Sequence, residues 1–263
     1  MVGRAESIGE ETATETWPSP RQLEQAENPL QADLIVDLIG ENPTLELDFR
    51  TSLTPQAALF VAPGWKLRVK RLVDLVGASV AIVLLSPVLL AAAAVVKLTS
   101  PGPVFFKQIR TGEGGREFHF YKFRSMHSDA ESEREAILGL DETDGPIFKI
   151  KDDPRMTPAG RFLRRTSIDE LPQLWHVLLG DMSLVGPRPP IPTEVDEYSD
   201  WEVQRLLVKP GITCIWQVSG RSELDFRTWV EMDIQYIEQW SLWYDIKLLA
   251  RTVPAVLSGR GAY

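Results

Sequence analysis

The chain has 263 residues, enough for one large domain or two small ones, and its formal net charge is −9 at pH 7. That balance argues against nucleic acid as a partner. The only cysteine, Cys214, excludes an internal disulfide framework and any metal site built from several cysteines. The three histidines fall at no spacing typical of metal ligands.

The first 65 residues are far more acidic than the rest of the chain. Residues 1–65 contain eleven Asp and Glu against three Lys and Arg, which leaves residues 66–263 near neutral. Six prolines interrupt this polar stretch. No basic segment precedes an apolar run here, as it does in a secretory signal. The sequence predicts a mostly disordered acidic leader over residues 1–65.

The longest apolar run follows, from Leu72 to Val96, with Asp74 as its only charged residue. As a helix it would be about 37 Å long, which is enough to cross a membrane. Ser86 and Pro87 lie near its middle, where proline kinks a helix. Both flanks are basic, which favours placing both ends in the cytoplasm. Residues 66–98 are predicted to form a membrane helix, either re-entrant with a break at Ser86-Pro87 or spanning; a buried core helix fits less well.

A β-hairpin is predicted next, because two segments with period-two alternation flank a glycine-rich turn. The segments are residues 104–110 and 116–124. No helix follows the glycines, so they are not a nucleotide-binding fingerprint. The hairpin ends with Lys122 and Arg124 on one face, which is either a solvated edge or an edge that faces phosphate.

Short elements fill the remainder of the chain. A charged helix is expected over residues 128–138 and a strand-like segment over 146–150. A helix is expected over residues 158–165, and the next helix is expected to end at about residue 179. Further helices are expected over residues 193–208 and 226–240, with a short strand over 214–218. The last helix carries an apolar stripe over residues 242–256 edged by Trp and basic side chains, which is typical of core packing or of an interfacial membrane helix.

Asp169 and Glu170 form the most informative pair of neighbours in the sequence. Arg164 precedes them and Arg188 follows in a Gly-Pro-Arg-Pro segment. Phosphate-ester chemistry needs an oxygen nucleophile, a metal ligand and cations for the phosphoryl oxygens. A capping box at a helix start is the alternative interpretation. Pro172 favours a helix that begins at or beside Asp169, because proline deeper in a helix breaks a hydrogen bond.

Four stretches carry a resemblance to a known family: SPGPVFFKQIRTGEGGREFHFYKFRSM, FKIKDDPRMTPAGRFLRRTSIDELPQLWHVLLGDMSLVGPRP, KPGITCIWQVSGR and GRGAY. From about residue 70 to 263 the chain resembles the bacterial sugar transferases, which are monotopic phosphoglycosyl transferases. The resemblance implies an α+β, mainly helical fold with a re-entrant helix broken at Ser86-Pro87, a small β-hairpin and interfacial amphipathic helices. Residues 99–263 would then form a cytoplasmic catalytic domain at the bacterial inner membrane.

The resemblance also implies a mechanism. The residue matching Asp169 attacks the sugar-linked phosphate of a nucleotide-diphosphate sugar, here expected to be a UDP-hexose, and UMP leaves. Polyprenyl phosphate, expected to be undecaprenyl phosphate, then takes the phosphosugar, which initiates synthesis of exopolysaccharide or another surface glycan. Glu170 holds Mg²⁺, and Arg164 and Arg188 bind phosphate groups. Lys122 and Arg124 join this predicted set of phosphate-binding residues.

Two residues depart from the family pattern: Cys214 stands where glycine is usual, and His176 where asparagine is usual. Larger family members carry spanning helices upstream, so this chain resembles the catalytic module alone. Downstream glycosyltransferases or further copies of the chain are candidate partners. Two other functions stay open: a non-catalytic membrane scaffold of a glycan pathway, and an enzyme of the same fold that hydrolyses nucleotide sugars.

Overall fold

The structure is a computed structural model that describes residues 62–133, 137, 139, 146–148, 150, 152–220, 224–259 and 261. Almost all of the predicted acidic leader lies outside these ranges. Within them the chain is mainly helical, with two small two-stranded sheets. This confirms the mainly helical fold with a small hairpin that the sequence predicts.

The described part of the chain contains eight α-helices of very different lengths. They are α1 (Gly64–Thr99), α2 (Pro158–Arg165), α3 (Leu174–Leu179), α4 (Pro192–Val195), α5 (Asp200–Val203), α6 (Ile215–Ser219), α7 (Phe226–Gln239) and α8 (Leu242–Ser258). Three 3-10 turns accompany them, at Glu113–Gly115, Ile168–Gln173 and Gln204–Leu207. The strands are β1 (Phe105–Thr111), β2 (Glu117–Phe123), β3 (Ser183–Val185) and β4 (Gly211–Thr213).

Helix α1 is, among the described residues, the one helix long and apolar enough to cross a membrane, with a mean hydropathy of 2.6 over its best window. Pro87 lies inside this helix without ending it, and the Ser86 hydroxyl donates to the carbonyl of Val83. Large apolar side chains around this position, including Val83 and Leu84, are exposed. A soluble helix would bury such side chains, so the middle of α1 is suited to lipid.

Both ends of α1 pack against the rest of the protein. Near its start, the buried Asp74 accepts from the Ser183 hydroxyl and from the Leu184 N–H, each at 3.0 Å. Near its end, Ala92 and Val96 pack with Phe123 and Leu163 in one apolar cluster. The two contact regions lie on either side of the Ser86-Pro87 position.

The predicted hairpin is present, with β1 and β2 antiparallel in a register that pairs Phe105 with Phe123 and Thr111 with Glu117. The turn contains Gly114 and Gly115 at positive φ, a conformation that glycine adopts at little cost. Phe120 of β2 joins the core cluster formed with Ala78, Leu174, Val177 and Met182. The hairpin is therefore fixed to helices α1 and α3.

The second sheet is a parallel pair, β3 with β4, which the sequence did not predict. Each strand has three residues, too few for a period-two pattern to stand out. Gly186 and Gly211 lie back to back beside this pair, and a Cβ on either would overlap the backbone of the other segment. The glycines allow the chain after β3 to run directly against the chain before β4.

Several predicted elements in the second half of the chain are wrong. The helix expected over residues 193–208 is broken into α4, α5 and a 3-10 turn. The strand expected at 214–218 is helix α6, and the strand is the preceding Gly211–Thr213. Residues 128–133 form turns, and the described residues of 146–150 are not a strand. Short segments such as these take their conformation largely from tertiary contacts.

The C-terminal helices match the prediction more closely. Asp225 caps α7 by accepting from the Thr228 N–H at 2.7 Å, and Ser241 caps α8 by accepting from the Tyr244 N–H at 3.1 Å. Tyr236, Ile237 and Leu248 bury one face of these helices against β3. Trp243, Ile246, Val253 and Leu257 remain exposed on α8. Helix α8 therefore has both a core face and an exposed apolar face.

Candidate active site

Asp169 and Glu170 lie in the first turn of the 3-10 segment Ile168–Gln173, which continues directly into α3. The segment begins after Ser167, whose side chain makes no capping hydrogen bond. The sequence-based alternative of a Ser167–Glu170 capping box is therefore wrong, whereas the segment does begin beside Asp169, at Ile168. Pro172 lies inside this 3-10 segment.

Ser167 has φ 54°, which makes it the one non-glycine residue with positive φ among the described residues. A left-handed conformation costs a residue with a Cβ roughly 1–2 kcal/mol. Strained backbone of this kind concentrates at functional sites, where the surrounding structure holds it. Here the strain immediately precedes Asp169 and turns the chain so that this carboxylate is buried.

Asp169 is 5% exposed, and burial raises the pKa of its carboxyl above the ordinary range. Lys122 and Arg164 act in the opposite direction and favour the charged form. A buried aspartate that carries negative charge beside two cations is a suitable oxygen nucleophile.

Arg164 projects from α2, which begins at Thr157. The Thr157 hydroxyl accepts from the Gly160 N–H at 2.9 Å, and Gly160 packs so closely on Ser125 that a Cβ would overlap its backbone. The Arg164 Nε donates to the Ser125 hydroxyl at 3.2 Å. These contacts fix Arg164 at the end of the hairpin, beside Asp169.

Lys122 reaches the same place from β2. Its Nζ lies 5.2 Å from the centre of the Phe106 ring. Burial, followed by the charge of Arg164, lowers the pKa of Lys122 to about 7, although Asp169 opposes this shift. Near neutral pH the protonation of Lys122 therefore depends on the groups around it.

Arg188 lies on the loop after β3 and is a charged neighbour of both Lys122 and Arg164. It is half-buried and takes part in none of the ion pairs that join described residues. The close approach of Gly186 to Gly211 brings this loop to the site. The structure thus brings together five predicted residues: Asp169, Glu170, Lys122, Arg164 and Arg188.

Arg124 has a different environment from the other predicted phosphate-binding residues. Its two terminal nitrogens donate to the carbonyls of Ser100 and Pro101, each at 2.7 Å. These contacts join β2 to the end of α1. Ser86 and Pro87 also lie apart from the dyad, within α1.

Arg110 is a cation of this site that sequence reasoning missed. It is 6% exposed at the end of β1, and its charged neighbours include Arg188 and Glu170. The alternation of β1 was visible in the sequence, but it could not show that the loop carrying Arg188 folds over this position. We call Asp169, Glu170 and the four cations Lys122, Arg164, Arg188 and Arg110 the dyad cluster.

His176, one of the two residues that the resemblance marks as a departure, joins the dyad-bearing segment to the hairpin. Its Nε2 accepts from the Tyr121 N–H at 3.2 Å, so Nδ1 carries the proton and faces Asp181 Oδ2 at 3.3 Å. The ring stacks on Tyr121 with centroids 5.4 Å apart. This contact fixes the strand position directly before Lys122.

Cys214 is buried in an apolar cluster with Trp216 and Trp229. Its φ is −147°, an extended conformation in which a side chain fits where the family usually has glycine.

No group of three or more His, Cys, Asp or Glu side chains able to hold a metal ion occurs among the described residues. Asp169 and Glu170 supply two carboxylates, which suits an ion that takes its remaining ligands from substrate phosphates and water. Mg²⁺ commonly binds in this way. The donor set therefore fits the expected magnesium ion.

Comparison with known proteins gives a consistent result. The family model described as "Bacterial sugar transferase" matches residues 65–259. The chain is 46% identical over 194 residues to the galactosyl transferase CpsE of Streptococcus agalactiae, covering 73% of this chain and 43% of that protein. It is 46% identical over 170 residues to the undecaprenyl-phosphate galactose phosphotransferase of Salmonella typhimurium, covering 62% and 35%.

A shorter relative matches along most of its length. The exopolysaccharide production protein ExoY of Rhizobium meliloti is 39% identical over 198 residues, covering 74% of this chain and 88% of that protein. The match to CpsE, in contrast, spans less than half of that relative. The matched region contains α1 and every residue of the dyad cluster, and the chain belongs to the bacterial sugar transferase family.

Proposed function

We propose that the protein transfers a sugar 1-phosphate from a UDP-hexose to undecaprenyl phosphate, and so initiates synthesis of a surface glycan. The observation that carries this proposal is the buried Asp169, placed beside Glu170 and near the cations Lys122 and Arg164. Such a site suits an anion with several phosphoryl oxygens. The relatives named for undecaprenyl phosphate and exopolysaccharide production support this assignment.

In the first step, an Asp169 carboxylate oxygen bonds to the phosphorus that carries the sugar. The bond from that phosphorus to the bridging oxygen breaks, and its electron pair leaves with UMP. Lys122 and Arg164, the charged neighbours of Asp169, keep the carboxylate ionised and stabilise the phosphoryl oxygens under attack. The product is a phosphosugar bound covalently to Asp169.

In the second step, a phosphate oxygen of undecaprenyl phosphate bonds to the same phosphorus. The bond to Asp169 breaks and returns the carboxylate with its negative charge. Because both displacements occur at one site, the two anionic substrates need not react with each other directly. Each of them meets a cationic environment instead. The dyad cluster supplies that environment in both steps.

Glu170, with Asp169 beside it, would hold Mg²⁺. When bound, the ion supplies positive charge to the diphosphate oxygens. The neighbouring arginines disfavour a lone cation, so we expect the ion to bind together with the nucleotide sugar.

We further propose that α1 is re-entrant and that the catalytic domain faces the cytoplasm. Contacts from both ends of α1 to one body support this: Asp74 binds β3, and Val96 packs on Phe123. A spanning helix would separate these ends by roughly 30 Å of hydrocarbon. Exposed apolar side chains on α8, such as Trp243, suit the headgroup layer.

The test is UMP release by purified protein given Mg²⁺, undecaprenyl phosphate and a panel of UDP-galactose, UDP-glucose and UDP-N-acetylgalactosamine. We expect release with at least one donor and its loss, by at least about 1000-fold, in Asp169→Asn. Absence of release with every donor, or full release by Asp169→Asn, would refute the proposal.

The same assay separates the two alternatives. A non-catalytic scaffold releases no UMP, and a nucleotide-sugar hydrolase forms free sugar phosphate at the same rate with and without the lipid. The buried Arg110, which forms no ion pair among the described residues, speaks against the scaffold, because such a charge lowers stability unless a ligand binds.

A further inference from the structure

Arg110 is a buried cation that forms no ion pair with the carboxylates of the described residues. Its Nη1 donates to the carbonyl of Pro189 at 2.9 Å, while its buried Nε has no hydrogen-bond partner. A buried guanidinium whose donors are incompletely used is costly unless something else fills the place.

The groups around Arg110 act on its charge in both directions. The guanidinium lies 5.4 Å from the centre of the Phe120 ring, which attracts its charge weakly. Burial and then the charge of Arg188 lower the pKa of Arg110 to about 9, while Glu194 and Glu170 oppose this. Two neighbouring arginines that form no ion pair with a carboxylate of the described residues suit a phosphate group.

The neighbours of Arg110 differ from those of the nucleophile. Arg110 and Asp169 share Lys122 as a charged neighbour, but neither is among the charged neighbours of the other. In phosphoryl transfer the attacking and leaving oxygens lie roughly in line, so the leaving phosphate is on the side of the phosphorus away from Asp169. A cation beside Glu170 and Arg188, rather than beside Asp169, suits that side.

We propose that Arg110, together with Arg188, binds the phosphate that leaves with the nucleotide. This assignment rests on the proposed function and adds a residue to it. Arg110 then stabilises the charge that the departing UMP acquires when the bridging bond breaks. Undecaprenyl phosphate attacks from the side that UMP has vacated, so its phosphate meets the same arginine in the second step.

The test compares the affinities of UMP and of uridine, measured by calorimetry on the full-length protein in detergent with Mg²⁺. Arg110→Gln should weaken UMP binding by about 10- to 100-fold, because a charge-assisted contact is lost, and leave uridine binding unchanged. Arg110→Lys should bind UMP with an intermediate affinity. Arg116→Gln is the matched control: this arginine is on the same hairpin, 62% of its side chain is exposed, and both affinities should stay at the wild-type values.

A purely structural role would give another result. If Arg110 only holds the Pro189 carbonyl, Arg110→Gln lowers the unfolding midpoint and keeps the ratio of UMP to uridine affinity. We expect instead that the unfolding midpoint is unchanged or higher and that the ratio of UMP affinity to uridine affinity falls. An unchanged ratio in folded Arg110→Gln overturns this assignment alone. Failure of the wild-type protein to bind UMP overturns the proposed function and this assignment with it.

Discussion

Two groups of buried and half-buried polar residues in the described part of the chain differ in how far their charges are paired. The first, which we call the anchor cluster, consists of Lys70, Tyr236 and Asp245. Lys70 Nζ donates to Asp245 Oδ2 at 2.7 Å and to the Val185 carbonyl at 3.0 Å, and the Tyr236 hydroxyl donates to Asp245 Oδ1 at 2.8 Å. Both carboxylate oxygens of Asp245 are satisfied.

The dyad cluster has more positive charge than its carboxylates can neutralise. Arg110 and Arg188 have no ion pairs within the described part of the chain, and Lys122 has a lowered pKa. Buried charges that are fully paired hold elements together, whereas unpaired ones reduce stability until a ligand arrives. The comparison favours a structural role for the anchor cluster and, under the proposed function, an anion-binding role for the dyad cluster.

The largest expected effect is on catalysis. Arg188→Gln should lower the rate of UMP release by about 100- to 1000-fold, because a cation that stabilises phosphoryl charge is removed. The same change should leave the unfolding midpoint unchanged or raise it, because it relieves repulsion with Arg110. Enzyme kinetics and thermal unfolding of the same preparation check both parts. A midpoint that falls together with the activity would contradict the comparison.

A change in the anchor cluster should act on stability. Asp245→Asn leaves the Lys70 ammonium without its counter-charge and should lower the free energy of unfolding by about 3 kcal/mol. Denaturant unfolding in detergent measures this. Arg227→Gln breaks the exposed pair with Glu231 and serves as the control, with no measurable change expected. Equal effects of the two variants would show that the anchor cluster is not a structural pair.

The third prediction concerns pH. Phosphate binding favours charged Lys122, so the KM for the UDP-sugar should rise as pH increases through the lysine pKa of about 7, approaching about tenfold per pH unit. Activity should also be lost at low pH, where Asp169 is protonated. The loss should occur at a higher pH than for an ordinary aspartate, because burial raises the pKa of Asp169. Rate profiles from pH 5 to 9 test this.

Lys122→Arg distinguishes the two limbs of that profile. An arginine keeps its charge throughout this range, so the rise of KM above neutral pH should disappear while the acid limb remains. An alkaline limb that persists in this variant would assign it to another group.

The smallest expected effect is at Ser167. Ser167→Gly should raise the free energy of unfolding by about 0.5 kcal/mol and keep the activity, because glycine adopts φ 54° more easily than serine. Ser167→Val should lower both, since a β-branched residue is unfavourable there. Unfolding curves and UMP release of the two variants provide the comparison. Loss of activity in Ser167→Gly would point to a role for the hydroxyl instead of the backbone.

The sequence predicts best those features that local patterns encode. The hairpin follows from its alternation and glycines, and the caps at Thr157 and Asp225 follow from the chemistry of helix starts. The dyad and its partners Lys122, Arg164 and Arg188 were found from residue types that phosphate chemistry needs and from the family resemblance.

The features that the sequence did not predict depend on distant contacts. The strands β3 and β4 have three residues each, and their pairing depends on the close packing of Gly186 on Gly211. Arg110 enters the site only because the Thr111 N–H donates to the Pro190 carbonyl at 2.9 Å and holds β1 beside the Arg188 loop. The left-handed backbone of Ser167 has no signature in its residue type.

The contacts between α1 and β3 fix the distance between the apolar helix and the candidate active site. Asp74 and Lys70 bind Leu184 and Val185, and Arg188 follows three residues later. The depth at which the bilayer holds α1 therefore determines the height of Arg188 above the hydrocarbon. A lipid phosphate is presented at one such height, so under the proposed re-entrant arrangement we expect activity to vary with bilayer thickness in nanodiscs.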